Sequence, residues 1–310
     1  MKVGITLPNV GPQATVENIS YIARRAEHEG FDSLWTIRRI LWPIEPQTPY
    51  LVTSDGSLPK EYQYVLDALD VLAYVSAITN NISLGTHVED MFFFTPIILA
   101  KRFVTLDVLS NGRIISGLGI GWSKDEYQAS NIPFNNRAER ADEFIFIMKK
   151  IWTDNVVNHK GKYYTIPPSR IDPKPIQNNI RVYLGGAAPG TFARIRKFGL
   201  SGWIGALVGG WEYVEKIIEG IRLSNDNGNK DHNKFQVIMV TFPNIIDNQS
   251  SSSNNERAPF TGTIDQIGED INRLKTMGVE HIVFNYNFVP IGKDPLKVIE
   301  VSKELARFTK

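Results

Sequence analysis

Short apolar runs alternate with longer segments in which apolar residues recur every third or fourth position, and this alternation extends along almost the whole chain. Val3 to Leu7 is a short run halted at Pro8; Val16, Ile19, Ile22, Ala23 and Ala26 then follow at helical spacing, and Gly30 stops them. Phe31 to Ile37 predicts a second strand, and after a long Pro-rich loop Asp67 to Ile78 predicts a helix carrying Leu69, Leu72, Ala73 and Ala77. Ile82 to Val88 predicts the third strand, with Thr95-Pro96 as cap and first-turn proline of a helix that Asn111-Gly112 closes. Arg113 to Gly117 predicts the fourth, followed by helical spacing from Arg137 to Trp152, and Val182 to Leu184 the fifth. Gly202 to Ala206, Phe235 to Phe242 and His281 to Phe284 complete eight strands, with helices at Trp211 to Arg222, Ile264 to Met277 and Leu296 to Phe308.

Eight strands alternating with helices predict a single α/β domain over residues 1–310, a closed (β/α)8 TIM barrel with its active site at the C-terminal strand ends. Two segments break the rhythm: an insertion over 154–179, rich in Pro and polar residues, and a flexible loop over 247–259 containing a run of serines.

Charge and composition narrow the function. Lys and Arg total 34 against 33 Asp and Glu, so the formal charge of +1 gives no broad field for nucleic acid or an anionic membrane. The absence of cysteine excludes disulfides, thiolate zinc or iron–sulfur sites and a thiol nucleophile within this sequence. The first residues read as a strand rather than a signal segment, and no apolar run is long enough to span a membrane, so a cytoplasmic location is expected. No pair of histidines has metal-ligand spacing, and His28, His159, His232 and His281 read as structural.

Candidate chemistry concentrates after the fourth strand, where Gly117, Gly119 and Gly121 alternate just before a polar helix start at Ser123-Lys124-Asp125-Glu126. Glycines let a backbone approach an anion, and a following helix turns its positive end toward it. The same glycines also serve close helix–strand packing, and their place after several strand–helix units excludes a dinucleotide fingerprint of the first-unit type. Gly185-Gly186 lies at the corresponding end of the fifth strand.

Together the landmarks Gly30-Phe31-Asp32-Ser33-Leu34-Trp35, Leu84-Gly85-Thr86-His87-Val88, Leu106 to Arg113, Gly119-Ile120-Gly121-Trp122 and Leu184-Gly185-Gly186 resemble the luciferase-like monooxygenase superfamily, in its branch using the deazaflavin coenzyme F420. The resemblance implies a barrel with an insertion before the fifth strand, often a homodimer, in which a non-prolyl cis peptide after the third strand supports the cofactor ring. By motif match that bond is His87-Val88, with Thr86 beside it. Cofactor contacts are implied at Gly119, Ile120, Gly121 and Trp122 and at Gly185, Gly186 and Ala187. The chain departs from the family where many members carry Asp-His after the second strand: here Arg38-Arg39 stand instead, and Trp122 replaces the glutamate of the sugar-phosphate dehydrogenases.

Those departures shape the remaining candidates. His87, Arg38 and Glu89 are the catalytic candidates: His87 at the barrel mouth, Arg38 as an oxyanion or carboxylate receptor against a surface ion pair, and Glu89, with Asp90, orienting His87 against an exposed rim carboxylate. Trp35, Arg39, Trp42 and Phe92 are expected to wall a substrate pocket, with packing under the loop 41–59 or at a dimer contact as the alternatives for Phe92-Phe93-Phe94. Asp125 and Glu126 are expected to cap the helix that follows the glycines. The expected function is F420-dependent hydride transfer to or from a small apolar organic substrate, with a separate flavin or F420 reductase as a partner option. FMN-dependent oxygen activation is the alternative, and a non-catalytic flavin-binding barrel or a phosphate-binding isomerase barrel stand behind it.

Overall fold

A computed structural model describes residues 1–50, 52–53, 55–225, 236–246 and 257–310. Eight parallel strands close into a barrel: β1 (Lys2–Thr6), β2 (Ser33–Thr36), β3 (Ser83–Thr86), β4 (Ile114–Gly119), β5 (Arg181–Leu184), β6 (Gly202–Ala206), β7 (Gln236–Thr241) and β8 (His281–Phe284). Each strand pairs with its successor in the chain and β8 pairs with β1, so no edge is left open. The eight-strand reading holds, with ends differing by a few residues; Phe235 lies outside the described residues.

The helices are α1 (Val16–His28), α2 (Ala68–Ile78), α3 (Pro96–Leu109), α4 (Lys124–Ala129), α5 (Arg137–Thr153), α6 (Pro189–Lys197), α7 (Gly210–Asn225), α8 (Ile264–Thr276) and α9 (Pro295–Ala306). Their starts follow local chemistry. Thr95 accepts the Ile98 N–H before Pro96, Asp67 accepts from Leu69 and Asp70, and Thr263 with Gln266 forms a reciprocal capping box. Between barrel and helices lies the main core, in which Leu34, Leu84, Phe103, Phe144 and Ile282 are buried.

A second, smaller core fills the barrel itself: Trp35, Ile115, Tyr183, Ile204, Ile238, Val240 and Val283. Trp35 is fully buried there and does not wall a pocket, which corrects the expectation for it. A Cβ on Gly4 would lie 2.6 Å from Trp35 Nε1 and one on Gly85 2.5 Å from Cε3, so the flanking strands are hollowed to admit the indole. Its N–H donates to Ser33 Oγ at 2.7 Å, and Ser33 Oγ lies 2.8 Å from His281 Nε2. Burial lowers the His281 pKa to about 3, so this ring is a neutral member of the barrel floor.

The insertion carries an antiparallel hairpin, Val157–Lys160 against Thr165–Ser169. Glu143 of α5 pins it, accepting from the Tyr163 and Tyr164 N–H groups at 3.0 and 2.9 Å and lying 3.0 Å from His159 Nε2. In the serine-rich loop, residues 247–256 lie outside the described residues. Among the described residues, no helix is long and apolar enough to cross a membrane.

Candidate functional site

The barrel mouth is organised by a break at the end of β3. After Thr86 the chain leaves β2 and its pairing with β4 slips by one residue: Leu84 and Gly85 stand opposite Ile114 and Ile115, but Glu89 and Asp90 opposite Leu118 and Gly119. The peptide bond between His87 and Val88, inside this break, is cis. The two side chains diverge from it. His87 turns toward β1, where its Nε2 lies 3.0 Å from Thr6 Oγ1, while its own N–H donates to the Thr36 carbonyl. Val88 turns the other way, into the space between two glycines: a Cβ on Gly119 would meet its Cγ2 at 2.7 Å, and one on Gly185 its Cγ1 at 3.2 Å. The bulge therefore joins the strand-four and strand-five glycine segments into one wall.

Each glycine of the alternating run has its own reason. Gly117 admits the neighbouring strand, since a Cβ would lie 1.9 Å from the Thr86 carbonyl oxygen. Thr86 is fully buried, and its hydroxyl donates to the Gly117 carbonyl at 2.8 Å, so it locks β3 to β4. Gly119 admits Val88 and also Asp90, whose Oδ1 would stand 2.9 Å from its Cβ. Gly121 has φ +66°, and the carbonyls on either side of this turn are engaged: Ile120 accepts from the Tyr127 hydroxyl and Gly121 from Arg137 Nη1.

The two helix starts beyond the glycines differ. At α4, Ser123 caps the Glu126 N–H, a role the sequence assigned to the acidic pair. At α6, the N-cap Ala188 offers no side chain, Gly186 bends the backbone at φ +98°, and a Cβ on Gly190 would meet nothing within 4 Å. Pro189 has no N–H and Thr191 gives its own to the Ala188 carbonyl, so with no side-chain cap it is the Gly190 N–H, beside Gly185, Gly186 and Ala187, that makes the start of α6 the anion-compatible end of the wall.

Behind the wall lies a buried charge cluster. Arg38, with a side chain only 6% exposed, has Nε 3.3 Å from Glu89 Oε1 and Nη1 3.0 Å from Asp90 Oδ2 and 3.6 Å from Glu126 Oε2. Its guanidinium stacks 4.0 Å from the Phe93 ring centroid. Arg39 Nε lies 3.6 Å from Glu126 Oε1, and Glu126 also accepts the Ile40 N–H at 2.7 Å. Both readings of Arg38 are thereby corrected: it is neither a surface ion pair nor a free oxyanion receptor, because three carboxylates already surround it. Glu89 likewise faces Arg38, whereas the His87 ring is held by Thr6. Burial raises the Glu89 pKa to about 8 despite Arg38, and burial also raises that of Asp90. With Glu89 protonated, the cluster has one negative charge fewer to set against Arg38 and Arg39. His87 is shifted the other way, down to about 4 by burial, and is neutral at physiological pH.

Aromatic rings close the mouth from above. Trp122 lies 5.4 Å from Tyr50, Tyr50 6.0 Å from Tyr62, Tyr62 4.9 Å from Phe288, and Phe288 6.3 Å from Phe242. This chain of rings runs from the exit of β4 to the exit of β7, and Arg39 stacks on its Trp122 end at 4.8 Å. Trp42 is half-buried, and its Nε1 is buried without a partner. Phe92 is not in the mouth: its ring packs 5.9 Å from Phe144 of α5 with Arg140 stacked 4.4 Å above it. Sequence reasoning passed over Thr6, Tyr50, Tyr62 and Phe288. Thr6 alone carried a usable signal, as the last residue of β1 before Pro8.

Comparison with known proteins bears on this geometry. A family model described as "Luciferase-like monooxygenase" matches residues 1–281. An uncharacterized protein of Mycobacterium tuberculosis (strain ATCC 25618 / H37Rv) is 34% identical over 208 residues, covering 66% of this chain and 71% of that one. The F420-dependent glucose-6-phosphate dehydrogenase of Amycolatopsis mediterranei (strain U-32) is 31% identical over 197 residues, 61% of this chain and 53% of the relative. Among solved structures, an F420-dependent secondary alcohol dehydrogenase in complex with an F420–acetone adduct superposes with TM-score 0.76 at 16% identity, covering 100% of this chain and 99% of that one. The oxygenating constituent of 3,6-diketocamphane monooxygenase from Pseudomonas putida, in complex with FMN, gives TM-score 0.70 at 13% identity over 99% and 97% of the two chains. These two structures share the fold.

Proposed function

The chain belongs to the luciferase-like monooxygenase family of oxidoreductases, and from that premise we propose that it is an F420-dependent oxidoreductase moving a hydride to or from a small apolar organic substrate. The observation that carries the reading is Val88, wedged between Gly119 and Gly185 so that the bulge and both glycine segments form one continuous wall. The residues present fit a flavin-type group: a small-residue wall for a flat ring, and the uncapped start of α6 beside Gly186 for a phosphate. A bound deazaflavin would supply the two-electron hydride chemistry. The chain's part is to bind, orient and exclude water. His87, neutral and tethered to Thr6, presents an imidazole at the mouth; Arg38 holds Asp90 against Gly119 and acts as a positioning residue; the aromatic chain from Trp122 to Phe242 shields the cleft. Similarity to an F420-dependent relative supports the deazaflavin over FMN. The reading includes a cytoplasmic homodimer, served by a separate reductase that returns the spent cofactor.

Titration of the purified apoprotein with F420 and with FMN, followed by reduced-cofactor absorbance with and without oxygen, tests it. Saturable F420 binding without oxygen consumption is expected. Oxygen consumption with reduced FMN would favour the monooxygenase reading, binding without turnover of any candidate substrate a non-catalytic barrel, and binding of neither would overturn the proposal.

A further inference from the structure

One cavity among the described residues stands away from the glycine wall. It lies across the mouth, between the loop that follows β1 and the loop that follows β8, and measures about 430 Å³. That is within the ~300–1,000 Å³ typical of small-molecule sites. Its walls are more apolar than polar: Pro8 and Val10 on one side, Phe288 and Val289 on the other, with Ile22 and Val298 of α1 and α9 at its back. Several polar groups on its lining are already engaged. Asn287 Nδ2 already donates to the Leu7 carbonyl and to Asn285 Oδ1, and the Gln13 side-chain oxygen accepts from Asn18. The charged lining residues, Glu61 and Lys293, are opposite in sign, and neither is a fully buried charge.

One lining residue connects this cavity to the cleft. Thr6 lines the cavity and is the partner of His87 Nε2. A hydroxyl has one donor and two acceptor positions, so Thr6 keeps capacity for a ligand after bonding the imidazole. The bulge thus divides the mouth: Val88 fits the glycine wall, and His87 reaches the cavity's lining through Thr6.

We propose that this cavity is the substrate site, taking a neutral organic molecule with an apolar body and a single hydroxyl or carbonyl oxygen directed at Thr6, the hydroxyl partner of His87. The proposal rests on reading the glycine wall as the cofactor cradle, which leaves this side of the mouth for the second reactant. It disfavours a sugar phosphate, because among the described residues the lining cation, Lys293, is exposed and shares the lining with Glu61.

The probe is prodan, a neutral naphthyl ketone whose emission shifts to the blue on leaving water. Titration of the full chain should show saturable binding at one site, weakened at least about tenfold by Val289→Trp, which fills the cavity from its rim. F420 and FMN titrations of the same variant, together with its thermal melt, should match the parent protein. Val10→Trp, from the opposite wall, repeats the experiment if the first variant does not fold. Absence of saturable prodan binding, prodan binding unchanged by both substitutions, or displacement of prodan by whichever cofactor binds would each overturn the proposal. Failure of both cofactors to bind would overturn the cofactor reading instead, and the prodan measurement registers that case separately.

Discussion

Replacing Glu89 by Gln should stabilise the protein relative to its parent progressively as pH rises. Glu89 is 1% exposed, its Oε1 lies 3.3 Å from Arg38 Nε, and its Oε2 is buried without a hydrogen-bond partner. Burial is the main reason its pKa stands at about 8 rather than 4.5; Arg38 opposes the shift only in part, and the Asp90 charge adds to it. Below pH 4.5 the folded and unfolded chains both hold the proton, and the fold bears no penalty. Between 4.5 and about 8 the unfolded chain releases the proton while the folded chain keeps it, so stability falls by about 1.4 kcal/mol per pH unit. Above that window the loss is constant, at about 5 kcal/mol in total. The substituted side chain has no such equilibrium and still offers an amide oxygen to Arg38. Urea unfolding of both proteins in unit steps from about pH 5 to about pH 8 should show the difference moving by about 4 kcal/mol in favour of the variant. Parallel stability curves would refute the reasoning, because they would mean that Arg38 keeps Glu89 ionised throughout and that attraction outweighs burial.

Arg38→Met keeps the buried length of the side chain but removes its charge, leaving Asp90 and Glu126 with only Arg39 nearby; a loss of about 3–5 kcal/mol in urea unfolding at neutral pH is expected. A variant as stable as the parent would show that solvent already reaches the cluster. The His87 imidazole should titrate by NMR with a midpoint near 4. A neutral buried histidine destabilises the fold as pH falls from 6.5 through that value, by about 3 kcal/mol in all, and His87→Asn should remove that component of acid unfolding. A midpoint near 6.5 would place the ring in open water.

The barrel was legible because its signals are local. Strand and helix periods, the Thr95-Pro96 start and the Asn111-Gly112 stop all act within a few residues, and each element stands where its own stretch of sequence puts it. The site was less legible because it depends on side chains that meet across long separations. Arg38 is 52 positions from Asp90, and nothing in either neighbourhood announces the other. The one-residue slip against β4 at His87-Val88 hid Glu89 and Asp90 for a related reason: beyond it the register of Leu84 and Gly85 no longer holds, so counting along β3 does not say what they face.

Trp35 shows that some of this information was present but unread. In the barrel's register Trp35 stands opposite Gly85 on β3 and Thr6 on β1, and its indole leans back to the level of Ser33, where β1 carries Gly4. A tryptophan with a glycine opposite it on one neighbouring strand and a glycine two residues back on the other is a packing signature once strand order is known, and strand order was the part the periodicity supplied. The alternating glycines after β4 follow the same logic. Their spacing of two is the period of a strand, so Gly117, Gly119 and Gly121 mark one face of β4 and its exit, and each admits whatever approaches that face at its own height. Thr86 approaches at the lowest level, and Val88 with Asp90 at the next. The motif therefore reports first on how the bulge is seated against β4, and its bearing on a cofactor comes through that seating: a side chain added at Gly119 would displace Val88 before it met any ligand.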